Sequence, residues 1–142
     1  MLRSADNLYT VGRGLHLSIA QEAALKLKET CMIHAEAYSS AEVLHGPNEL
    51  ARDGFPVLLF RSEDAGDASV QDAARRLSAQ GASAMMAGEG DPDALPVPRA
   101  PHPALAPMLQ IQAFYRMVEA LARDRGYNPD QPRHVQKVTR TV

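Results

Sequence analysis

The most constraining feature of this sequence is one uninterrupted apolar run, Phe-Pro-Val-Leu-Leu-Phe, at positions 55–60. A strand covered on both faces in a parallel sheet reads as a continuous hydrophobic run, whereas a strand with one wet face alternates apolar and polar residues. The run therefore predicts a central strand in a parallel sheet that has helices on both sides. A chain of 142 residues is long enough to bury such a core in one domain, 1–142.

Strand-like and helix-like segments alternate along the chain, which is typical of an α/β fold. Strands are predicted at 7–11, 55–60 and 84–87, with a short edge strand at 95–97. Helices are predicted at 19–32, 70–80 and 105–125. The expected architecture is a three-layer sandwich in which a parallel, flavodoxin-like sheet is flanked by helices.

Local signals fix some details of the helices. Ser18 and Gln21 have the spacing of a capping box, and Ser39 or Ser40 can cap a short helix over 41–45. The stretch from 33 to 37 is expected to be irregular. Periodicity predicts that the second long helix turns Val70, Ala73, Ala74 and Leu77 inward. In the third it predicts an apolar stripe of Met108, Ile111, Tyr115, Val118 and Ala122, widened by Leu109, Phe114 and Leu121, and this width implies contact with two surfaces.

The first long helix carries a narrow charged stripe formed by Glu22, Lys26 and Glu29. Apolar residues, including Leu27 and Cys31, occupy its opposite side and can pack on the sheet. Charged helix faces are common, so spacing alone favours a solvated stripe in which a Glu22–Lys26 pair contributes a few tenths of a kcal/mol. A functional role for the stripe needs further support.

A Gly-Arg-Gly turn, Gly12 to Gly14, joins the first strand to this helix. Ligands of open parallel sheets bind beyond the carboxyl ends of the strands, so the turn and the charged helix behind it are expected at one such mouth. The third glycine of a dinucleotide fingerprint is missing, and no Walker-type loop is present. The sequence therefore predicts no nucleotide cofactor and no metal.

Composition excludes several classes of function. The net charge is −2 and no basic cluster marks a nucleic-acid footprint. The single cysteine, Cys31, cannot form an internal disulfide, so a reducing, cytoplasmic setting and a buried thiol are expected. No apolar run is long enough to cross a membrane and no signal peptide is expected.

Several motifs together resemble a known family. They are G-R-G at 12–14, E-x-A-L-K-L-K-E at 22–29, I-H-A-E-A-Y at 33–38, E-x-x-H-G-P at 42–47 and a D-x-P-R tail followed by Lys137. This set resembles the second sugar-isomerase (SIS) domain of glucosamine-6-phosphate synthase. It is equally similar to amino-sugar-phosphate deaminases and ketose/aldose isomerases without a glutaminase domain.

The resemblance implies an aldose–ketose isomerase or deaminase site for an amino-sugar or hexose 6-phosphate. Glu29 matches the carboxylate that shuttles a proton between C1 and C2, a task suited to a partly buried carboxyl. His45 matches the ring-opening histidine, which in the synthase acts at the neighbouring subunit's site. Lys137 matches the lysine that meets the open-chain carbonyl. Glu22, Lys26 and the turn Gly12, Arg13, Gly14 match supporting positions.

The resemblance also implies that the site is incomplete. The family's phosphate loop, S-x-S-G-x-T, belongs to a first SIS domain and has no counterpart here. The expected partners are a sugar phosphate, a first SIS domain and a second copy in a homodimer, with residues 127–142 as an extended tail. The tail reads Lys-Val-Thr-Arg-Thr from Lys137 where the synthase has K-S-V-T-V-E, which slightly favours the deaminase/isomerase branch. The alternative is a non-catalytic phosphosugar-binding module, as in some transcriptional and kinase regulators.

Overall fold

A four-stranded parallel sheet forms the centre of the molecule. The structure, a computed structural model, describes residues 2–88 and 95–132. The strands are β1 (Asn7–Gly12), β2 (His34–Ser39), β3 (Pro56–Phe60) and β4 (Ser83–Ala87), in the order β2-β1-β3-β4. The long helices are α1 (Leu15–Cys31), α2 (Asp67–Ala79) and α3 (Ala106–Asp124). This confirms the predicted parallel, flavodoxin-like α/β sandwich.

Each face of the sheet has its own hydrophobic core. On β3, Leu58 and Phe60 join α1 and α3 in one core, whereas Val57 and Leu59 face α2 in the other. All four side chains are buried, which explains why this strand reads as a continuous apolar run. The predicted inward face of α2 is confirmed, since Val70, Ala73, Ala74 and Leu77 are all buried. Helices α1 and α3 therefore lie side by side on one face.

The prediction of an irregular stretch at 33–37 is wrong, because β2 occupies His34–Ser39. This strand lies at the edge of the sheet and pairs in parallel with β1, Leu8 opposite Ala35 and Thr10 opposite Ala37. Ala35 is buried under α1, while Glu36 on the other face is exposed. Alanine has little preference for strands, so pairing with β1 decides the conformation rather than local propensity.

The predicted capping box is also wrong, because α1 begins earlier, at Leu15. Gly14 caps the helix with φ +56°, a backbone conformation that glycine adopts readily, and Ser18 inside the first turn donates its hydroxyl to the Leu15 carbonyl at 2.7 Å. Gly12 allows the turn to close tightly. A Cβ on Gly12 would lie 2.2 Å from the His16 carbonyl oxygen.

Helix α3 buries part of its predicted stripe, namely Val118 and Ala122 with the widening positions Phe114 and Leu121. Gln110, Phe114, Val118, Leu121 and Ala122 are buried, while Met108 and Tyr115 are 59% and 42% exposed. A polar residue holds the central position because the Gln110 side-chain amide donates to the Arg61 carbonyl at 2.8 Å. Met108 and Tyr115 therefore lie on the exposed side of the predicted stripe.

The predicted short helix after β2 is a 3-10 turn, Glu42–Leu44, followed by a second one, Pro47–Leu50. The N-cap residue of the first turn is Ala41 and not the predicted Ser39 or Ser40, but the Ser39 hydroxyl accepts from the Glu42 amide at 3.2 Å. The Glu42 carboxylate accepts in return from the Ser39 amide at 3.1 Å. The segment predicted as an edge strand makes one isolated bridge, between Ala87 and Leu95.

Candidate functional site

The charged stripe of α1 is a connected ion-pair network. The Lys26 ammonium donates a hydrogen bond to Glu29 Oε2 at 2.6 Å and lies 3.8 Å from Glu22 Oε1. None of the three side chains is fully solvated: Lys26 and Glu22 are 32% exposed and Glu29 is 26% exposed. Helical spacing therefore predicted which residues meet. The closer contact is the one between Lys26 and Glu29, not the expected Glu22–Lys26 pair.

Helix α3 supplies a fourth member of this network. The Tyr115 hydroxyl donates to Glu22 Oε1 at 2.9 Å and connects the two helices. Sequence periodicity placed Tyr115 in a wide apolar stripe and did not predict this polar contact. The sequence of one helix does not indicate which residue a neighbouring helix places beside it. Only the tertiary structure therefore reveals the contact between Tyr115 and Glu22.

The electrostatics of the stripe keep its central lysine charged. The hydrogen bond with Glu29 raises the pKa of Lys26, and the charges of Glu22 and Glu29 act in the same direction against the opposing effect of burial. An ammonium with a raised pKa stays protonated near neutral pH and cannot act there as an amine nucleophile. The Lys26 ammonium can therefore balance the charge of the two carboxylates beside it.

The structure corrects the expected position of the stripe in the fold. Helix α1 starts at the carboxyl edge of the sheet, beside the Gly12–Gly14 turn, and runs back across the sheet. At 1.5 Å rise per residue, Glu29 lies about 20 Å along the helix from Gly14. The prediction that the turn and the stripe share one mouth is wrong. Gly12, Arg13 and Gly14 lie near the carboxyl edge, and Glu29 lies towards the opposite edge.

His45 lies on the carboxyl side of the sheet. It ends the 3-10 turn after β2 and lines a groove of about 590 Å³ with Gln21 of α1, Tyr38, Glu42 and other neighbours. Gln21 precedes Glu29 by two helical turns, about 12 Å. Within one copy of the chain, the groove that His45 lines therefore meets α1 at Gln21, about two helical turns before Glu29. Lys137, the third predicted catalytic residue, lies outside the described residues.

A larger cavity, of about 1060 Å³, opens beyond the carboxyl ends of β3 and β4. Its lining mixes polar and apolar residues and includes Arg61, Ser62, Asp64, Asp67 and Gln110, and no sequence motif pointed to it. The Arg61 guanidinium pairs with Asp67 at 2.7 Å, and this contact offsets burial to leave the pKa of Asp67 lowered. The lining has mixed charge, since the guanidinium groups of Arg61 and Arg99 stand among the carboxylates of Glu63, Asp64 and Asp67.

Buried beneath this edge, His16 has no hydrogen-bond partner for either ring nitrogen among the described residues. Burial lowers the pKa of His16, and the charge of Asp64 partly opposes that shift. The imidazole is therefore neutral in the folded protein near neutral pH. In the described segments 2–88 and 95–132, no helix is both long and apolar enough to cross a lipid bilayer.

Comparisons with known proteins show which family and which proteins this chain is similar to. The SIS domain model matches residues 1–87. The glutamine–fructose-6-phosphate aminotransferase (isomerizing) of Aeropyrum pernix is 36% identical across 96% of this chain, which spans 23% of that enzyme. A Silicibacter pomeroyi DSS-3 protein, provisionally named a phosphosugar isomerase, is 44% identical over 91% of this chain and 41% of its own, with a TM-score of 0.79. The C-terminal domain of the Francisella tularensis glucosamine-fructose-6-phosphate aminotransferase is 27% identical over 89% of this chain and 38% of its own, with a TM-score of 0.80.

Proposed function

We propose, since this chain belongs to the SIS domain family, that it supplies acid–base side chains to an isomerase or deaminase acting on an amino-sugar or hexose 6-phosphate. The observation that carries the proposal is the half-buried Glu22–Lys26–Glu29 network on α1. Solvated helix pairs contribute little and are seldom shielded by a second helix. Relatives that act on fructose 6-phosphate, by their names, support the substrate class.

In the proposed reaction, Glu29 transfers a proton between C1 and C2 of the open-chain sugar. Glu29 Oε2 is held by the Lys26 ammonium, whereas Oε1 accepts no hydrogen bond from another described residue. One oxygen is thus anchored and the other is left to take a proton from one carbon and return it to the next, through an enediol or enolamine. The Lys26 charge stabilises the negative charge that develops on the sugar oxygen.

The proposed site is completed by other parts of a larger assembly. His45 lies away from Glu29 in the same copy, so we assign its ring-opening role to the site of a neighbouring copy in a homodimer. Lys137 is proposed to meet the open-chain carbonyl. The chain spans about a quarter of the curated relatives it matches. A first SIS domain in the same gene product is therefore proposed to hold the phosphate, with the reaction in the cytoplasm.

The test is Glu29→Gln in the full-length gene product, with Glu49→Gln as the matched control. Glu49 lies in the 3-10 turn Pro47–Leu50, outside the network. Loss of the proton shuttle is expected to lower turnover by a factor of about 10²–10⁴ while sugar-phosphate binding changes little. The control should keep wild-type turnover.

Turnover within twofold of wild type in Glu29→Gln would overturn the catalytic role and favour the non-catalytic phosphosugar-binding module. A separate assay tests the requirement for a first domain. The 142-residue chain alone is expected to isomerise fructose 6-phosphate negligibly, and ordinary enzyme rates from it would contradict that requirement.

A further inference from the structure

We infer that Tyr115 is a positioning residue for the site proposed above, acting on Glu29 through Glu22 and Lys26. This inference rests on the proposed function of Glu29. Three contacts form one continuous connection from α3 to the carboxylate. Tyr115 Oη donates to Glu22 Oε1 at 2.9 Å, that oxygen lies 3.8 Å from Lys26 Nζ, and Lys26 donates to Glu29 Oε2 at 2.6 Å.

The connection matters because the stripe has little rigidity of its own. Long Glu and Lys side chains on one helix lose rotamer entropy when they pair, so an isolated i,i+4 pair contributes a few tenths of a kcal/mol. A donor on a second helix adds an anchor that does not move with α1. Helix α3 is itself fixed by the buried neighbours Phe114 and Val118. Tyr115 thereby ties the stripe to the core of the domain.

The direction of every hydrogen bond in this connection is set. Burial, then the hydrogen bond to Glu22, raises the pKa of Tyr115, so its hydroxyl remains a donor at any working pH. The ammonium of Lys26 has only donors to offer. Glu22 Oε1 consequently accepts a hydrogen bond from Tyr115 and forms an ion pair with Lys26, and Glu29 keeps one oxygen without a partner among the described residues.

The hydroxyl is the functional part of Tyr115. Tyr115 as a residue is 42% exposed and its ring stands 6.4 Å from the Phe114 ring, so the ring fills no buried space that a phenylalanine could not fill equally. Tyr115→Phe therefore removes the contact with Glu22 and leaves the packing of α3 unchanged. Tyr127→Phe is the matched control, since the Tyr127 hydroxyl makes no hydrogen bond with any of the described residues.

The experiment has two readouts. First, the ¹³Cζ NMR titration of Tyr115 in the 142-residue chain is expected to move to a lower pKa when Glu22 is replaced by Gln, with burial still holding the pKa above its ordinary value. An unchanged titration in Glu22→Gln would show that the contact does not exist in solution, and would overturn the inference.

Second, kinetics in the full-length gene product test the positioning role. Tyr115→Phe is expected to lower kcat about two- to tenfold, the range of a lost hydrogen bond, with KM within twofold and only a slight loss of thermal stability. In a Glu22→Met background, which offers the tyrosine no side-chain acceptor, it should have no further effect. If Glu29→Gln abolishes turnover while Tyr115→Phe matches Tyr127→Phe, this inference fails and the proposed function stands. Unchanged turnover in Glu29→Gln overturns both.

Discussion

Replacing Arg125 with methionine should loosen the junction between the chain's first residues and its helical layer. Arg125 is the residue directly after α3. Its guanidinium donates to the Cys31 carbonyl at 2.8 Å, to the Arg3 carbonyl at 2.8 Å and to the Ala5 carbonyl at 2.9 Å. Cys31 is the last residue of α1, where helix carbonyls have no partner within the helix. One side chain thus joins both helices of this layer to the segment before β1.

The magnitude follows from these three contacts. A hydrogen bond from a charged donor contributes about 1.5–3 kcal/mol when its partner is buried, and less where water can replace the lost donor. The contacts of Arg125 are partly solvated, so the sum for Arg125→Met is about 2–4 kcal/mol of unfolding free energy. Total stability of domains is about 5–15 kcal/mol. The loss should therefore be plain in an equilibrium experiment.

Urea unfolding followed by far-ultraviolet circular dichroism measures the effect. Arg123→Met is the matched control, because Arg123 lies on the same helix, is 64% exposed and makes a surface ion pair with Glu119 at 2.9 Å. The control is expected to lose less than about 0.5 kcal/mol. If the two variants unfold at the same urea concentration, Arg125 does not hold the junction.

Further predictions concern the turn, the buried histidine and the thiol. Gly12→Ala is expected to cost about 1–3 kcal/mol in urea unfolding, because its Cβ would meet the His16 backbone oxygen at 2.2 Å; unchanged stability would contradict the close approach. Since burial lowers the pKa of His16, the unfolded chain takes up the proton first as pH falls through the ordinary histidine range, and stability declines; His16→Leu should flatten that decline between about pH 7 and 5, and an unaltered profile would refute the assignment. Burial also raises the pKa of Cys31, so aromatic disulfide reagents should modify it rapidly only after denaturation; fast native-state labelling would contradict this.

Much of the fold could be predicted from local sequence patterns, because the apolar residues that the patterns select are the ones that the fold buries. The apolar run at 55–60 and the inward face of α2 are both confirmed, since the sheet and helix each bury the residues that periodicity selects. Edge strand β2 was missed because its alternation is carried by alanines, whose burial depends on α1. The burial of Gln110 on α3 was not predicted, because it depends on a hydrogen bond that its side chain donates to the distant Arg61 carbonyl.

In the candidate site, too, the contacts within one helix could be predicted and the contacts between helices could not. Helical spacing correctly predicts that Glu22, Lys26 and Glu29 share one stripe, since all contacts lie within one helix. Tyr115 could not be predicted, because the packing of α3 on α1 decides it. The separation of Glu29 from the Gly12–Gly14 turn follows from helix length alone. The roles of Glu29, His45 and Lys137 stay predictions until activity is measured.

Solvent-deuterium exchange at the sugar tests the central claim most directly. The full-length gene product is incubated with fructose 6-phosphate in deuterated water, and incorporation at C1 is followed by proton NMR. If Glu29 carries the proton, the wild type and Glu49→Gln exchange this hydrogen and Glu29→Gln does not, although it still binds the sugar. Exchange in Glu29→Gln at the wild-type rate would show that the α1 stripe does not perform the proton transfer.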